Sequence, residues 1–217
     1  MTAASSHRVW RRVGDQLRQP KGLAGRLTGH LMVLLNRGPY RQALKALSLQ
    51  PGNRVLELGF GPGQGLAALC RLFPSAAIWG VDHSEAMLDM ALKRNARAVE
   101  EGRLHLACGS FTSLPFPSAW FDSLLLVNVL YFFDDAGKGL TECLRVLKPS
   151  GRIVLYVTDR ATMENWRFCE PETHRIFNRH EVAASLENAG FTAIDIHPVR
   201  LAFAIQGLVI TARRERC

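Results

Sequence analysis

From about residue 50 onward, short apolar runs alternate with stretches whose apolar positions recur at helical spacing. Apolar runs bounded by turn residues are typical of buried strands, whereas apolar positions three and four residues apart are typical of helices that cover a sheet. The pattern predicts strands near residues 54–58, 77–82, 103–108, 122–130, 152–157, 193–199 and 206–212. It predicts helices near residues 64–73, 84–101, 136–147 and 179–189. This alternation favours an α/β domain with a mostly parallel sheet and helices on both faces.

The first 50 residues carry a different pattern, in which apolar stripes at helical spacing are mixed with basic side chains. One stripe comprises Val9, Trp10, Val13 and Leu17, and a second comprises Leu23, Leu27, Leu31 and Leu34. Turn residues separate the stripes at Pro20-Lys21-Gly22 and end the second at Arg37-Gly38-Pro39. We therefore expect three short helices here. The chain divides into a basic amphipathic helical extension, residues 1–50, and a main domain, residues 51–217.

Charge separates the same two parts. Residues 1–50 hold nine lysines and arginines against one aspartate, and their net charge of +8 equals that of the whole chain. The extension either covers a ligand cleft as a lid and substrate cap, or rests on an anionic membrane or an acidic substrate. Near an anionic membrane, each Lys or Arg contributes about 1 kcal/mol. Nucleic acid is a less favoured partner, because the aromatic platforms that single-strand binders interleave with basic residues are absent.

A glycine-rich loop follows the first predicted strand and precedes the first predicted helix. Its glycines let the backbone turn sharply and approach a ligand closely, and the helix offers free N–H groups. Asp82 ends the second predicted strand, 23 residues after Gly59, where a carboxylate can accept both hydrogen bonds of a ribose hydroxyl pair. This spacing fits NAD and S-adenosylmethionine equally. Glu57 favours the second, because a carboxylate there would repel a pyrophosphate but attract the positively charged sulfonium ligand.

Further landmarks follow the glycine loop in a fixed order. They are Asp82-His83-Ser84, Gly109-Ser110-Phe111 with Leu114-Pro115-Phe116, Phe121-Asp122 leading into Val127-Asn128-Val129-Leu130, and Leu147-Lys148-Pro149-Ser150-Gly151. With these motifs the chain, from about Gln50 to its end, resembles the class I S-adenosylmethionine-dependent methyltransferases of the small-molecule and quinone-type (methyltransferase type 11-like) branch. The resemblance implies a Rossmann-like, doubly wound, seven-stranded sheet in the order 3-2-1-4-5-7-6. In that fold the last strand is antiparallel and ligands sit beyond the carboxyl ends of the strands.

The resemblance also implies the residues that bind the cofactor. Gly59, Gly61 and Gly63 should lie against its methionine and ribose parts, and Asp82 should take both ribose hydroxyls. Glu57 either adds negative potential near the ligand's ammonium group while orienting the loop, or caps loop amides.

Four more residues complete the expected cofactor site. His83 either stacks on the adenine or is a half-exposed loop residue without function. Ser110 and the backbone N–H of Phe111 should face the adenine edge, although many relatives carry an Asp where Ser110 stands. Asn128 interrupts an apolar strand, which indicates proximity to the methionine end. S-adenosylhomocysteine would be the product, and no metal is expected.

Methyl transfer from a sulfonium mainly requires that the nucleophile be held close to the methyl carbon and in line with the carbon–sulfur bond. Tyr131 and Asp159 follow predicted strands and are the candidate catalytic residues. The candidate residues of the acceptor pocket are His30, Tyr40, Tyr131, Tyr156, Trp166 and His174. Each of these could instead be a packing or surface residue. No Ser/His/Asp, HExxH or paired-carboxylate arrangement competes with methyl transfer.

The hypothesis from the sequence is therefore methyl transfer to a small organic acceptor, with lipophilic molecules as one candidate class. An NAD(P)-dependent oxidoreductase and a non-catalytic cofactor-binding or membrane-associated protein remain alternatives. Five cysteines without CxxC spacing, no apolar signal segment and no apolar run long enough to cross a bilayer predict a cytoplasmic protein. The sequence does not determine the acceptor or the oligomeric state.

Overall fold

The computed structural model describes residues 10, 14, 32–133, 137–169 and 174–216. Its strands are β1 (Arg54–Leu58), β2 (Ala77–Asp82), β3 (Leu104–Cys108), β4 (Phe121–Val127), β5 (Leu147–Thr158), β6 (Phe191–Arg200) and β7 (Gln206–Arg214). They form one seven-stranded sheet in the order β3-β2-β1-β4-β5-β7-β6. The pairs from β3 to β5 are parallel, and β7 runs antiparallel to both β5 and β6. The predicted order and the antiparallel last strand are confirmed.

Helices cover both faces of this sheet. They are α1 (Arg37–Ala46), α2 (Gln64–Leu72), α3 (Glu85–Arg94), α4 (Ala96–Glu100), α5 (Lys138–Val146), α6 (Arg160–Met163) and α7 (Arg179–Asn188). Leu124 and Leu126 of β4 face α5 and α7, whereas Leu125 and Val127 belong to the opposite core, with α1 and α2. Successive side chains of a strand point to opposite faces, so a continuous apolar run such as β4 supplies both cores.

Several element boundaries differ from the sequence prediction. The helix predicted over 84–101 is broken at Asn95, whose side chain donates to the carbonyls of Gly63 and Ala91 at 3.1 and 2.9 Å. The strand predicted to reach residue 130 ends at Val127, because Asn128 adopts a left-handed conformation with φ 55°. Tertiary hydrogen bonds and backbone conformation at these two asparagines override the local pattern.

The start of β5 also differs from the prediction, which ended a helix at residue 147 and began the strand only at residue 152. Gly102 and Gly190 have positive φ after helices, as expected of C-terminal glycines, but Gly151 does not. Ser150 takes the left-handed conformation instead, with φ 62°, and Gly151 already lies in β5. A Cβ at Gly151 would approach the carbonyl oxygen of Lys148 at 2.8 Å, so close packing is the reason for glycine here.

The described part of the extension packs on the main domain. Residues 32–35 are helical, and α1 buries Tyr40, Ala43 and Leu44 in the core beside β1 and β5. Pro39 stands in the first turn of α1, where its missing N–H has no helical partner to lose. Across the described residues, no helix has the length and apolar character needed to cross a membrane.

Candidate active site

A narrow cleft opens at the edge of the sheet where β1, β2 and β4 end. Its walls are the loop after β1, the turns after β2 and β4, and the helical segment that precedes β1. The described residues that line the cleft are Met32, Asn36, Tyr40, Gly59, Phe60, Gly61, Pro62, Gln64, Asp82, His83, Met87, Phe111, Val127, Asn128, Val129 and Phe132.

The glycine loop has a left-handed backbone at three positions. Gly59, Gly61 and Gly63 have φ values of 65°, 53° and 78°, which only glycine adopts readily. A Cβ at Gly59 would overlap the side chain of Val129, and one at Gly63 would meet Ala91 at 2.8 Å. At Gly61 the nearest atom would be a methyl carbon 3.7 Å away. Gly59 and Gly61 therefore face the cleft, whereas Gly63 caps α2 and packs against α3.

Asp82 fixes the tip of this loop. Its Oδ2 accepts the N–H of Gly61 and its Oδ1 accepts the N–H of Ser84, both at 2.9 Å. Burial raises the pKa of Asp82 above its ordinary value, and the two backbone donors oppose that rise. Each carboxylate oxygen has a second lone pair, so Asp82 can accept ligand hydroxyls while it holds the loop.

Glu57 is fully buried in β1 beneath the loop. The hydroxyl of Tyr40, on α1, donates to its Oε1 at 2.6 Å. Gly65 makes room for this contact, because a Cβ there would overlap both the Tyr40 ring and Glu57 Oε1. Tyr40 lines the cleft and Glu57 does not. Glu57 therefore reaches the cleft only through the tyrosine that covers it.

The second oxygen of Glu57, Oε2, is buried and has no hydrogen-bond partner among the described residues. Burial raises the pKa of Glu57 to about 8, the Tyr40 hydrogen bond opposes the rise, and the charge of Asp82 adds to it. Glu57 is therefore mostly protonated at neutral pH in the absence of a cation. A positive charge bound nearby would favour its ionised form.

Asn128 joins the turn after β4 to the helical extension. Its Nδ2 donates to Oδ1 of Asn36 at 2.9 Å, and its Oδ1 accepts the hydroxyl of Tyr131 at 2.9 Å. The Tyr131 hydroxyl also contacts the backbone N–H of Thr158. Burial raises the pKa of Tyr131 above its ordinary value. Tyr131 does not line the cleft, and its hydroxyl orients Asn128, which does.

An open groove of about 1,120 Å³ adjoins the cleft and shares His83 and Phe111 with it. The His83 ring lies edge-on to Phe111, with centroids 5.6 Å apart. Ser110 lines this groove, and its Oγ lies 2.9 Å from Oγ1 of Thr112. The structure thus brings His83, Ser110 and Phe111 together beside the cleft, at a place where a flat ring could lie.

The lining of the cleft does not include four further predicted residues, Tyr156, Asp159, Trp166 and His174. Tyr156 is buried against Gly207 in the core beside α1, and Asp159 caps α6 by accepting the N–H of Ala161 at 2.9 Å. Trp166 stacks on Phe168 with centroids 5.4 Å apart, and the ring of His174 is 5.1 Å from that of Phe132. His30 and most of the extension lie outside the described residues. The roles assigned to these residues stay predictions.

The residues of the cleft wall that the sequence did not predict include two from the helical extension. Met32 and Asn36 line the cleft from the segment before α1. Met32 stands beside the apolar stripe that ends at Leu34, but a stripe does not show which side faces a ligand. The contact between Asn36 and Asn128 spans 92 positions, and no local signal predicts such a pair.

The residues present fit S-adenosylmethionine. The open face of Gly61, the carboxylate of Asp82 and the His83–Phe111 pair are the groups that would contact a methionine chain, a ribose and a ring. Oε2 of Glu57 is buried and has no hydrogen-bond partner among the described residues, and a cation on the ligand would favour the ionised form of this carboxyl group. In the described part of the chain, no cluster of three or more His, Cys, Asp or Glu could hold a metal ion.

Comparison with known proteins agrees with this geometry. A methyltransferase domain model matches residues 56–155. The uncharacterized methyltransferase YdaC of Bacillus subtilis is 30% identical over 170 residues, 78% of this chain and 88% of that protein. The ubiquinone/menaquinone biosynthesis C-methyltransferase UbiE of Geobacter sulfurreducens is 36% identical over 116 residues, 53% of this chain and 45% of that protein.

A solved structure shares the fold. Phosphoethanolamine N-methyltransferase 2 of Haemonchus contortus, in complex with S-adenosyl-L-methionine, superposes with a TM-score of 0.69 at 16% identity. The match covers 83% of this chain and 53% of that chain. From its sheet order, its glycine loop and these relatives, the chain belongs to the class I S-adenosylmethionine-dependent methyltransferases.

Proposed function

We propose that this methyltransferase transfers the methyl group to a small, largely apolar organic molecule. The observation that carries the proposal is the lining of the cleft. Beside the polar pair formed by the glycine loop and Asp82, the wall consists mainly of apolar side chains, namely Met32, Phe60, Met87, Phe111, Val127, Val129 and Phe132. An apolar wall with few polar groups selects ligands by shape and by burial of their apolar surface.

Within this cleft each end of the cofactor has an assigned place. Asp82 would hold the ribose hydroxyls, and Gly59 and Gly61 would lie along the ribose and methionine chain. His83, Ser110 and the N–H of Phe111 would face the adenine. Asn128 would meet the methionine end, held in orientation by Tyr131 and Asn36.

The reaction would proceed by in-line displacement, with little acid–base help from the protein. Among the described residues that line the cleft, the titratable side chains are Tyr40, Asp82 and His83. Tyr40 is committed to Glu57, and Asp82 to the loop. We therefore expect an acceptor that becomes nucleophilic through its own chemistry. The protein would accelerate the reaction by holding the acceptor close to the methyl group and by excluding water from the cleft.

The extension would act as a lid over the acceptor side. Met32, Asn36 and Tyr40 belong to residues 1–50 and form one wall of the cleft. This placement supports the division of the chain into a substrate-capping extension, residues 1–50, and a catalytic domain, residues 51–217.

The relatives support a planar, apolar acceptor of the quinone type. The Geobacter protein, a ubiquinone/menaquinone biosynthesis C-methyltransferase by name, matches 116 residues of this chain. The match spans less than half of that protein, so its acceptor is a hypothesis for this chain.

Methyl transfer into a cell extract tests the proposal. The enzyme is incubated with methyl-labelled S-adenosylmethionine, and the products are partitioned into organic, aqueous and macromolecular fractions. We expect label in the organic fraction and none with Asp82→Ala. Label confined to the aqueous or macromolecular fraction would contradict the apolar acceptor while leaving the enzyme class in place.

A titration separates the enzyme from its oxidoreductase alternative. S-adenosylhomocysteine should bind and NADH should not, because the ammonium group of S-adenosylhomocysteine would be stabilised by ionisation of Glu57 beneath the loop, whereas a negatively charged pyrophosphate would gain nothing from that carboxyl group. Tight NADH binding would overturn the assignment of the cleft.

A further inference from the structure

Phe203 is the most exposed large apolar side chain in the described structure. Its side chain is 97% exposed at the turn between β6 and β7, where Ala202 and Ala204 are exposed as well. Phe203 and Ala204 have φ values of 60° and 57°, a left-handed conformation that suits Gly or Asn better than Phe. The ring of Phe203 is thus exposed to water, and its backbone has a conformation that favours other residues. Together these two features point to a contact outside the chain.

This turn lies on the same side of the molecule as the cleft. Leu201, at its base, packs against α1, and a Cβ at Gly38 would lie 3.1 Å from it. Two residues before Gly38, Asn36 lines the cleft. Leu34 and Leu35, on the same helical segment, are 60% and 56% exposed. The cleft wall and the apolar turn are therefore neighbours.

Basic side chains flank these apolar residues. Arg37 and Arg41 on α1 and Arg200 at the end of β6 are exposed. Neither residues 32–50 nor residues 199–206 contain an Asp or Glu. Asp159, which follows β5, donates its backbone N–H to the carbonyl of Gln206, and its carboxylate accepts the N–H of Ala161.

We propose that these residues form a docking face for an anionic lipid bilayer. The docking face comprises Leu34, Leu35, Arg37, Arg41, Arg200 and Phe203. Phe203 and the two leucines would enter the boundary between headgroups and acyl chains, while the arginines contact anionic headgroups. Bound in this way, the protein presents its cleft toward the membrane. The inference concerns binding alone and holds whichever acceptor the enzyme methylates.

Vesicle sedimentation of the full-length chain tests the docking face. The vesicles contain phosphatidylcholine alone or an equimolar mixture with phosphatidylglycerol. We expect binding to the anionic vesicles only, weakened by salt. Phe203→Asn fits the left-handed backbone and removes the ring, so it should keep the melting temperature and lower vesicle affinity roughly tenfold. Arg37→Gln and Arg200→Gln should each lower the affinity about fivefold.

Leu72→Asn supplies the matched control. Leu72 is 52% exposed at the end of α2, on the opposite edge of the sheet, and its replacement should leave vesicle binding unchanged. S-adenosylhomocysteine binding, measured in parallel, should be the same in all four variants.

Four results would overturn the proposal. Equal binding to neutral and anionic vesicles, or no binding to either, would exclude an anionic bilayer. A Phe203→Asn protein that binds vesicles as the parent does would show that this turn is not the contact. A dimer in solution that Phe203→Asn dissociates would assign the face to a second copy of the chain.

Discussion

Two buried carboxylates on neighbouring strands serve the same cleft in different ways. Asp82 ends β2, and each of its oxygens accepts a backbone N–H at 2.9 Å. Glu57 lies within β1, where one oxygen accepts a phenol and the other has no partner among the described residues. Asp82 is held by the chain segments next to the loop, whereas Glu57 depends on a tyrosine from the extension. Asp82 holds the glycine loop, and Glu57 is joined to the helical extension.

The largest expected effect is the pH dependence that Glu57 imposes on stability. Its pKa of about 8 in the folded chain exceeds the ordinary 4.5, so between these values the folded state binds more protons than the unfolded state. Stability should therefore fall as pH rises from 5 to 8, by up to roughly 4 kcal/mol from this group. Glu57→Gln cannot titrate, and denaturant unfolding at a series of pH values should show that this part of the slope is lost. A slope identical in both proteins would contradict the buried, protonated Glu57.

Asp82→Ala should have the next largest effect, on cofactor binding. The change removes the groups that would hold the ribose and leaves the N–H groups of Gly61 and Ser84 without their acceptor. Two hydrogen bonds to a charged group are worth roughly 3 kcal/mol or more, so affinity for S-adenosylhomocysteine should fall about 100-fold. Asp89→Ala, on the exposed side of α3, is the matched control and should bind normally. Comparable affinities for the two variants in calorimetry would refute the role of Asp82.

Tyr40→Phe tests the hydrogen bond between Tyr40 and Glu57. It leaves Glu57 Oε1 without its hydroxyl donor, which should raise the pKa of Glu57 further. The loss of stability should therefore be larger at pH 9, at about 2 kcal/mol, than at pH 6. Tyr156→Phe removes a buried hydroxyl from the same core without touching Glu57, and its effect should not depend on pH. Equal pH dependence of stability in the two variants would contradict the effect of the Tyr40 hydroxyl on the pKa of Glu57.

The smallest expected effect is that of Asn36→Ala. Asn128 Nδ2 loses its acceptor on the extension, which costs about 1 kcal/mol or less, so cofactor affinity should fall only a few-fold. Because the contact joins the extension to the turn after β4, turnover should fall more than affinity. Asn165→Ala, outside the cleft, should change neither, as steady-state kinetics would show.

The same comparison explains what the sequence could and could not predict. The strands and the positions of Gly59, Gly61 and Asp82 follow from apolar runs and turn residues that are close together in the chain, whereas the strand order is implied only by the resemblance to class I methyltransferases. The Tyr40–Glu57 and Asn36–Asn128 hydrogen bonds join residues 17 and 92 positions apart, and only the fold brings them together. Left-handed residues other than glycine, such as Asn128, Ser150 and Phe203, leave no local pattern either.

Calorimetric titration with S-adenosylhomocysteine, in two buffers of different ionisation heat at pH 7, tests most directly whether the bound ligand ionises Glu57. We expect binding to release roughly half a proton to one proton, because the ligand's ammonium group favours the ionised form of Glu57. Glu57→Gln should bind without that release. Absence of binding would contradict the cofactor site itself. Binding by the parent chain without proton release would contradict the link between Glu57 and the ligand.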